Sequence, residues 1–424
     1  MTEELLHHLW KFRLFNQMQL TTTAGESIDV LRTGDHNQHA GPDFFNSKIK
    51  IGETLWAGNV EVHVNASDWN KHTHEQDKSY DNIILHVVFK ADQNIYRAAG
   101  DLIPTLELKQ YVDPLHIRNY QRFKASKEWI PCEKQLEYVP PIVIHTTLNR
   151  LMIERLEEKF TDLMQALRLN KMNWEETFYQ LLAKNFGFKT NALPFELLAK
   201  SVPSVILAKH KNSLFQLEAL LFGQAGFLEQ HFEERYPQQL QNEYVFLRHK
   251  FKLISIDKHV WKFLRLRPVN FPTIRIAQFA QLIYQSNHLF SKIIETEELI
   301  RLKELLNANV SAYWNSHYIF GKGSPVKSKK LGEDAIENII INTIIPFLFV
   351  YGKTKGDESF IDRALGFLDE MEGEKNSIVD QWTKLNIPVK SASETQALLQ
   401  LKNEYCDYKR CLQCSIGSYL LKKV

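Results

Sequence analysis

The spacing of apolar residues changes once along this chain, near Pro140-Pro141, and that change sets the class of fold. Before it, apolar and polar side chains alternate over short runs, the period of β-strands; beyond it, apolar residues return every three or four positions, the period of helices. Leu148, Leu151, Leu156, Phe160, Leu163 and Leu167 keep the helical spacing with Glu and Lys between them. Similar patterns recur near 175–187, 214–222, 273–288, 333–350 and 394–404. They share no fixed repeat length, which argues against a solenoid.

Ahead of the change, residues 3–17 carry Leu5, Leu6, Leu9, Trp10, Phe12 and Leu14 at helical spacing. Residues 18–23 and 28–32 read as strands around a Gly25-Glu26-Ser27 turn. Phe44 to Ile51 and Thr54 to Val64 read as a hairpin turning at Gly52-Glu53. A polar stretch, Asn65 to Asp81, is expected to be a short helix or loop. Ile83 to Phe89 is apolar enough to be buried on both faces, and Thr105 to Val112 is one more strand. The expectation is an α+β protein: a mixed-sheet α/β module over 1–130, a linker over 131–147, and a large all-α region over 148–424 that ends in a cysteine cluster.

Composition narrows the function classes. With 44% hydrophobic and 24% charged residues the chain is an ordinary globular one. Its net charge of +2 exerts no global pull on polyanions, so a nucleic-acid site would have to come from local clustering. The acidic, amphipathic start lacks the basic and apolar segments of an export signal. The most apolar run, Ile339 to Tyr351, is interrupted by Asn342 and Pro346 and falls short of the roughly 20 residues that span a bilayer. A buried helix is expected there, with no membrane partner. Four cysteines in 424 residues do not make a disulfide scaffold, which points to the cytoplasm.

The densest chemistry lies between Asp35 and Asp92. Gly41-Pro42-Asp43 is followed eighteen residues after Asp43 by Glu61-Val62-His63, then by Ser67-Asp68-Trp69, by His72-Thr73-His74-Glu75-Gln76-Asp77, and by His86. Side chains alternate along a strand, so Val60, Val62 and Val64 share one face and Glu61 and His63 the other. A strand face made of acid and imidazole needs partners or solvent. Asp43 opens the neighbouring strand, and two carboxylates meeting there would suit Mg²⁺ or Mn²⁺, which polarises a phosphoryl oxygen and activates water. A rival set, His63, His72, His74 and Asp77, would suit zinc. His86 among apolar neighbours reads more simply as a core histidine.

Pro42-Asp43 followed by Glu61-Val62-His63 resembles the motif of the PD-(D/E)XK nuclease superfamily. That resemblance implies a restriction-endonuclease-like core, metal ligation by Asp43, Glu61 and a helical acid (Glu4 by position), and a catalytic group at Asp43, Glu61 and His63. It departs at His63, where the motif has a lysine: lysine is a fixed charge, histidine a conditional one. The run from Asn37 through Ala40-Gly41-Pro42-Asp43-Phe44, Trp56, Gly58, Tyr80 and Leu85-His86-Val87-Val88 is also similar to an uncharacterised bacterial family of unknown function.

Two other features invite ligands. Cys406, Cys411 and Cys414 follow a C-x4-C-x2-C spacing, and Cys132 is the one remaining thiol; four thiolates suit zinc or an iron–sulfur cluster, and incidental buried thiols are the alternative. Basic stretches holding Arg265, Arg267 and Arg275, and Lys327, Lys329 and Lys330, are candidate phosphate contacts or else solvated faces. Three functions remain open: a divalent-metal nuclease, a nuclease-like protein that binds nucleic acid (DNA or RNA) without cutting it, and a structural or assembly factor.

Overall fold

The computed structural model describes residues 1–423 apart from Gln38 and Asn287. It is α+β, with an N-terminal mixed sheet followed by a large helical region. The chain divides into two units, one formed by Met1–Leu148 with Leu399–Val424 and the other by Asn149–Leu398.

In the first unit, α1 (Glu3–Lys11) is capped by Thr2, whose hydroxyl accepts the Leu5 N–H at 3.3 Å, and Glu3 and Glu4 occupy its positive end. It buries Leu5, Leu6, Leu9 and Trp10, each such side chain worth about 1.5–3 kcal/mol. The helix is shorter than its apolar spacing suggests, because Arg13 turns left-handed (φ 53°) directly after it.

The sheet comprises β1 (Ile28–Arg32), β2 (Asp35–His36), β3 (Phe44–Ile51), β4 (Thr54–Asn65), β5 (Ile83–Lys90) and β6 (Thr105–Glu107). Its order is β1-β3-β4-β5-β6, with β2 pairing β3. The β3–β4 hairpin expected from sequence is antiparallel, and β5 and β6 join in parallel beyond it. Residues 18–23 make only an isolated bridge, Thr21 to Ser27, in place of a strand. The last strand ends at Glu107, where the chain turns and Leu108 takes the amide protons of Tyr111 and Val112.

Phe44 stands opposite Val60, and Glu61 stands beside His86 in the parallel pair. Gly58 permits the approach of β5: a Cβ there would lie 2.4 Å from Ile84 Cγ2. Ile83 to Val88 are all buried, as a strand covered on both faces requires. Beyond β4 come α2 (Asp68–Lys71) and two 3₁₀ turns, His74–Gln76 and Lys78–Tyr80.

Next come α3 (Pro114–Ala125) and α4 (Pro141–Leu169), the division between units falling inside α4. Residues 133–138 of the expected linker form a 3₁₀ helix. The C-terminal stretch, grouped by its helical period with the second unit, packs with the first. Local periodicity carries no signal for such a long-range return. Among the described residues one helix, Glu333–Lys355, is long and apolar enough to cross a membrane; 78% of its most apolar window is buried inside the protein, the pattern of a core helix.

A candidate metal centre on the sheet

Four side chains converge beside the end of β4. Strand alternation puts Glu61 and His63 on one face, and both are almost fully buried, at 4% and 1% exposure. His72 and His74 arrive from the connection to β5. Asp68 fixes its start by accepting the Asn65 N–H at 2.9 Å and the Asn65 side-chain amide at 3.3 Å. Thr73, between the two histidines, adopts φ 57° and ψ 31°. A β-branched residue in that region costs about 1–3 kcal/mol, and such strain gathers at functional sites. The left-handed step reverses the chain, so that residues two apart aim their rings at one place.

One nitrogen each from His63, His72 and His74 lies within 4.8 Å of the others. His63 Nε2 is 3.2 Å from His72 Nδ1 and 3.6 Å from Glu61 Oε1; His74 Nε2 is 3.3 Å from the same oxygen. Ligand atoms about 2.0–2.1 Å from a shared tetrahedral ion stand about 3.3 Å apart, so the His63–His72 gap has the size a zinc-type ion would span. His74 Nε2 is buried with that carboxylate oxygen as its neighbour.

Outer groups hold the cluster in place. His63 Nδ1 meets His86 Nε2 at 2.9 Å, as the second nitrogen of a ligating imidazole usually meets a partner. Tyr80 stacks on His74 with centroids 3.9 Å apart, and Trp69 packs edge-on against His74 and His86. Burial pushes Glu61 up to about 7, against the opposing pull of His74, and it pushes His63 down to about 2 and His86 down to about 3, where neighbouring histidines add to the effect. Both imidazoles are thus held neutral, the form that binds metals. His72 is exposed and His74 partly so, which leaves the cluster open to solvent on that side.

Asp43 belongs to the surroundings of this cluster. Its N–H donates to Glu61 Oε2 at 3.1 Å, and its carboxylate accepts the Val62 N–H at 3.0 Å and faces His7 Nε2 at 3.2 Å. Burial works against a charged His7, but its close approach to the Asp43 carboxylate prevails and holds it above its usual range. Glu4 is not brought here: its carboxylate accepts the Tyr120 hydroxyl at 3.0 Å and lies 3.8 Å from Lys124. The acid of α1 on this side is Glu3, 4.0 Å from His7. Asp77 caps the next 3₁₀ turn through the Ser79 N–H, and Glu61 stands where the zinc-type set expected it. Sequence reading missed His7, Tyr80 and the orienting role of His86. Only the register of β5 against β4 could have revealed the last.

The basic residues separate into two groups. Arg265, Arg267, Lys327 and Lys330 are exposed. Arg275 is buried, its guanidinium bonded to Asn270 and Gln278 and stacked 4.5 Å over Phe188. Lys329 is buried too, with its ammonium donating to the carbonyls of Trp314 and Asn315. These two are spent inside the helical unit and are withdrawn from any phosphate surface. The cysteines all lie in the first unit.

The fold and this cluster define an α+β protein with an imidazole–carboxylate centre on a mixed sheet. Residues 3–377 match the family described as "Protein of unknown function (DUF2851)", and the chain belongs to that family. No curated protein matches the sequence, and no solved structure matches the fold.

Proposed function

We propose that this protein is a metal-dependent hydrolase of the reducing cytoplasm, that its ion sits among His63, His72 and His74, and that its substrates are phosphodiesters of nucleic acid. The observation that carries the reading is the convergence of three imidazole nitrogens within 4.8 Å of one another, with the Glu61 carboxylate beside two of them. Nitrogen donors favour zinc over the Mg²⁺ or Mn²⁺ suggested by a carboxylate pair. Three protein ligands leave a fourth position for water, the arrangement of catalytic rather than structural sites. A bound divalent ion would supply Lewis acidity and a water that ionises near neutral pH.

The chain's own residues do the rest. Glu61 Oε1 lies beside two of the ligand nitrogens, placed to take a proton from a water held there. Asp43 positions Glu61 through its N–H and fixes the strand through Val62. The Pro42-Asp43…Glu61-Val62-His63 resemblance supports a phosphodiester as substrate, and Arg265, Arg267, Lys327 and Lys330 are among the exposed cations that a nucleic-acid backbone could meet.

The test is an assay of the purified chain on single- and double-stranded DNA and RNA with Zn²⁺, Mn²⁺ or Mg²⁺, beside His72→Ala and Glu61→Gln. Cleavage lost in both variants supports the reading. Equal cleavage by the variants would assign it to another site or a contaminant. Zinc binding without cleavage would favour a structural centre or a silent binding protein.

A further inference from the structure

The helical unit holds a cavity of about 1000 Å³, whose lining residues all fall within Asn149–Leu398. That volume is at the upper end of the range of small-molecule pockets. Its walls come mainly from α4 and α5 (Trp174–Phe186), with Asn342 and Pro346 contributed by the helix Glu333–Lys355.

This last helix is irregular where it borders the cavity. Ile340–Ile344 form a π-helical turn, a feature often found at functional sites, and Pro346 has no N–H to return to the Asn342 carbonyl. Asn185 Nδ2 answers that carbonyl at 3.2 Å and also donates to Thr343 Oγ1 at 2.7 Å. Asn342 Nδ2 donates to the Asn338 carbonyl at 3.1 Å, which leaves its amide oxygen to accept the Lys159 ammonium at 3.2 Å.

The amides of the opposite wall are already paired. Asn170 Nδ2 donates to Thr177 Oγ1 and Gln180 Oε1, both at 3.1 Å, and Gln180 Nε2 donates to Glu176 Oε1 at 2.8 Å. Glu176 Oε2 accepts the Ser204 N–H at 2.9 Å. Lys184 and Lys200 both pair with Glu196, at 3.0 and 2.6 Å. Lys159 differs from these two lysines. It is partly buried, and among the described residues it makes no ion pair and has Asn342 as its one hydrogen-bond partner. Burial, and then Arg155, push its ammonium down to about 7, while Glu374 pulls the other way. An ammonium has three protons to donate, and away from water a cation needs a counter-charge.

We propose that this cavity binds a small organic monocarboxylate, whose carboxylate meets the Lys159 ammonium and whose apolar body lies against Leu163, Ala166, Leu181 and Pro346. One cation without a counter-charge matches one negative charge. A wall whose amides are already paired offers the rest of the ligand apolar contact. The cavity shares no residue with the histidine cluster, so this reading and the hydrolase reading fail separately.

The test is calorimetric titration of the full chain with straight-chain carboxylates from butyrate to decanoate, at about pH 6 to keep Lys159 charged. Octanoate is expected to bind at least about tenfold tighter than octanol, the worth of a hydrogen bond to a charged group. Lys159→Met should erase that advantage. Asn342→Asp, which supplies the missing counter-charge from the protein itself, should weaken octanoate by a similar factor and leave octanol unchanged. It decides the matter should Lys159→Met fail to fold. Octanoate and octanol bound equally by the parent, or octanoate held as tightly by either variant as by the parent, would overturn the proposal. So would the failure of every carboxylate in the series to bind at millimolar concentration.

Discussion

Both units bury polar side chains, and they differ in what surrounds them. In the helical unit Arg275 is met by Asn270, Gln278 and Phe188, and Lys329 by two backbone carbonyls, although Arg275 Nε and Glu218 Oε1 have no hydrogen-bond partner. On the sheet the buried groups answer one another poorly. Imidazole nitrogens face imidazole nitrogens, and His74 Nε2 and His86 Nδ1 lack hydrogen-bond partners. A buried charge with its own partners reports on stability. Three imidazole nitrogens within 4.8 Å of one another, with a carboxylate beside two of them, are the arrangement that the proposed ion accounts for.

The largest effect that sharpens this contrast is expected at His72. It is exposed, so His72→Ala should keep the fold while weakening zinc binding by at least about 100-fold, more than loss of an outer-shell partner costs. Calorimetric titration with zinc checks it; unchanged affinity would remove His72 from the centre.

The second concerns Glu218 in the helical unit, which burial pushes up to about 7. Its carboxyl is met by Tyr236 and, at 3.2 Å, by the Ser311 hydroxyl. Because the folded value exceeds the unfolded one, the unfolded chain loses this proton first as pH rises. The stabilising contribution is whole below about 4.5 and is lost as pH climbs through about 7, amounting to about 3 kcal/mol at most. Glu218→Gln should therefore flatten the fall in stability between pH 5 and 8, measured by urea unfolding. An unchanged slope would show that another group governs it.

Arg275→Ala should destabilise the protein by about 2 kcal/mol, the worth of hydrogen bonds to a charged group, with no change in polyanion affinity. A selective loss of nucleic-acid binding would reverse its assignment as structural. His86→Phe, an outer-shell change, should weaken zinc by about 10- to 100-fold without removing the site. The smallest effect belongs to Lys327→Gln with Lys330→Gln. If these exposed lysines meet phosphates, affinity should drop a few-fold and the salt slope should flatten by about 1–2. Identical salt series for parent and variant would leave them as solvated surface.

Much of this contrast was legible in the sequence, in places where local rules govern. The β3–β4 hairpin, the buried β5 and the shared face of Glu61 and His63 follow from period-two alternation alone. The zinc-type trio was visible as residues. What failed to show was which carboxylate stands beside it, because Glu61 and Asp77 are told apart only by how the chain folds back after α2. Thr73 makes that reversal with a conformation no propensity suggests. Arg275 and Lys329 looked like phosphate contacts because charge reads as surface until the packing of Phe188, Trp314 and Asn315 is known. The return of residues 399–424 to the first unit depends on long-range anchors such as Lys409 on Lys124, which leave no periodic trace.

The central claim is that an ion sits among His63, His72 and His74. Crystals of the zinc-loaded chain, measured on both sides of the zinc absorption edge, test it most directly. The account predicts an anomalous peak about 2.0–2.1 Å from one nitrogen of each of these three histidines, absent in His72→Ala. A zinc-saturated crystal with no anomalous density there, and with the three rings in their present positions, would contradict it.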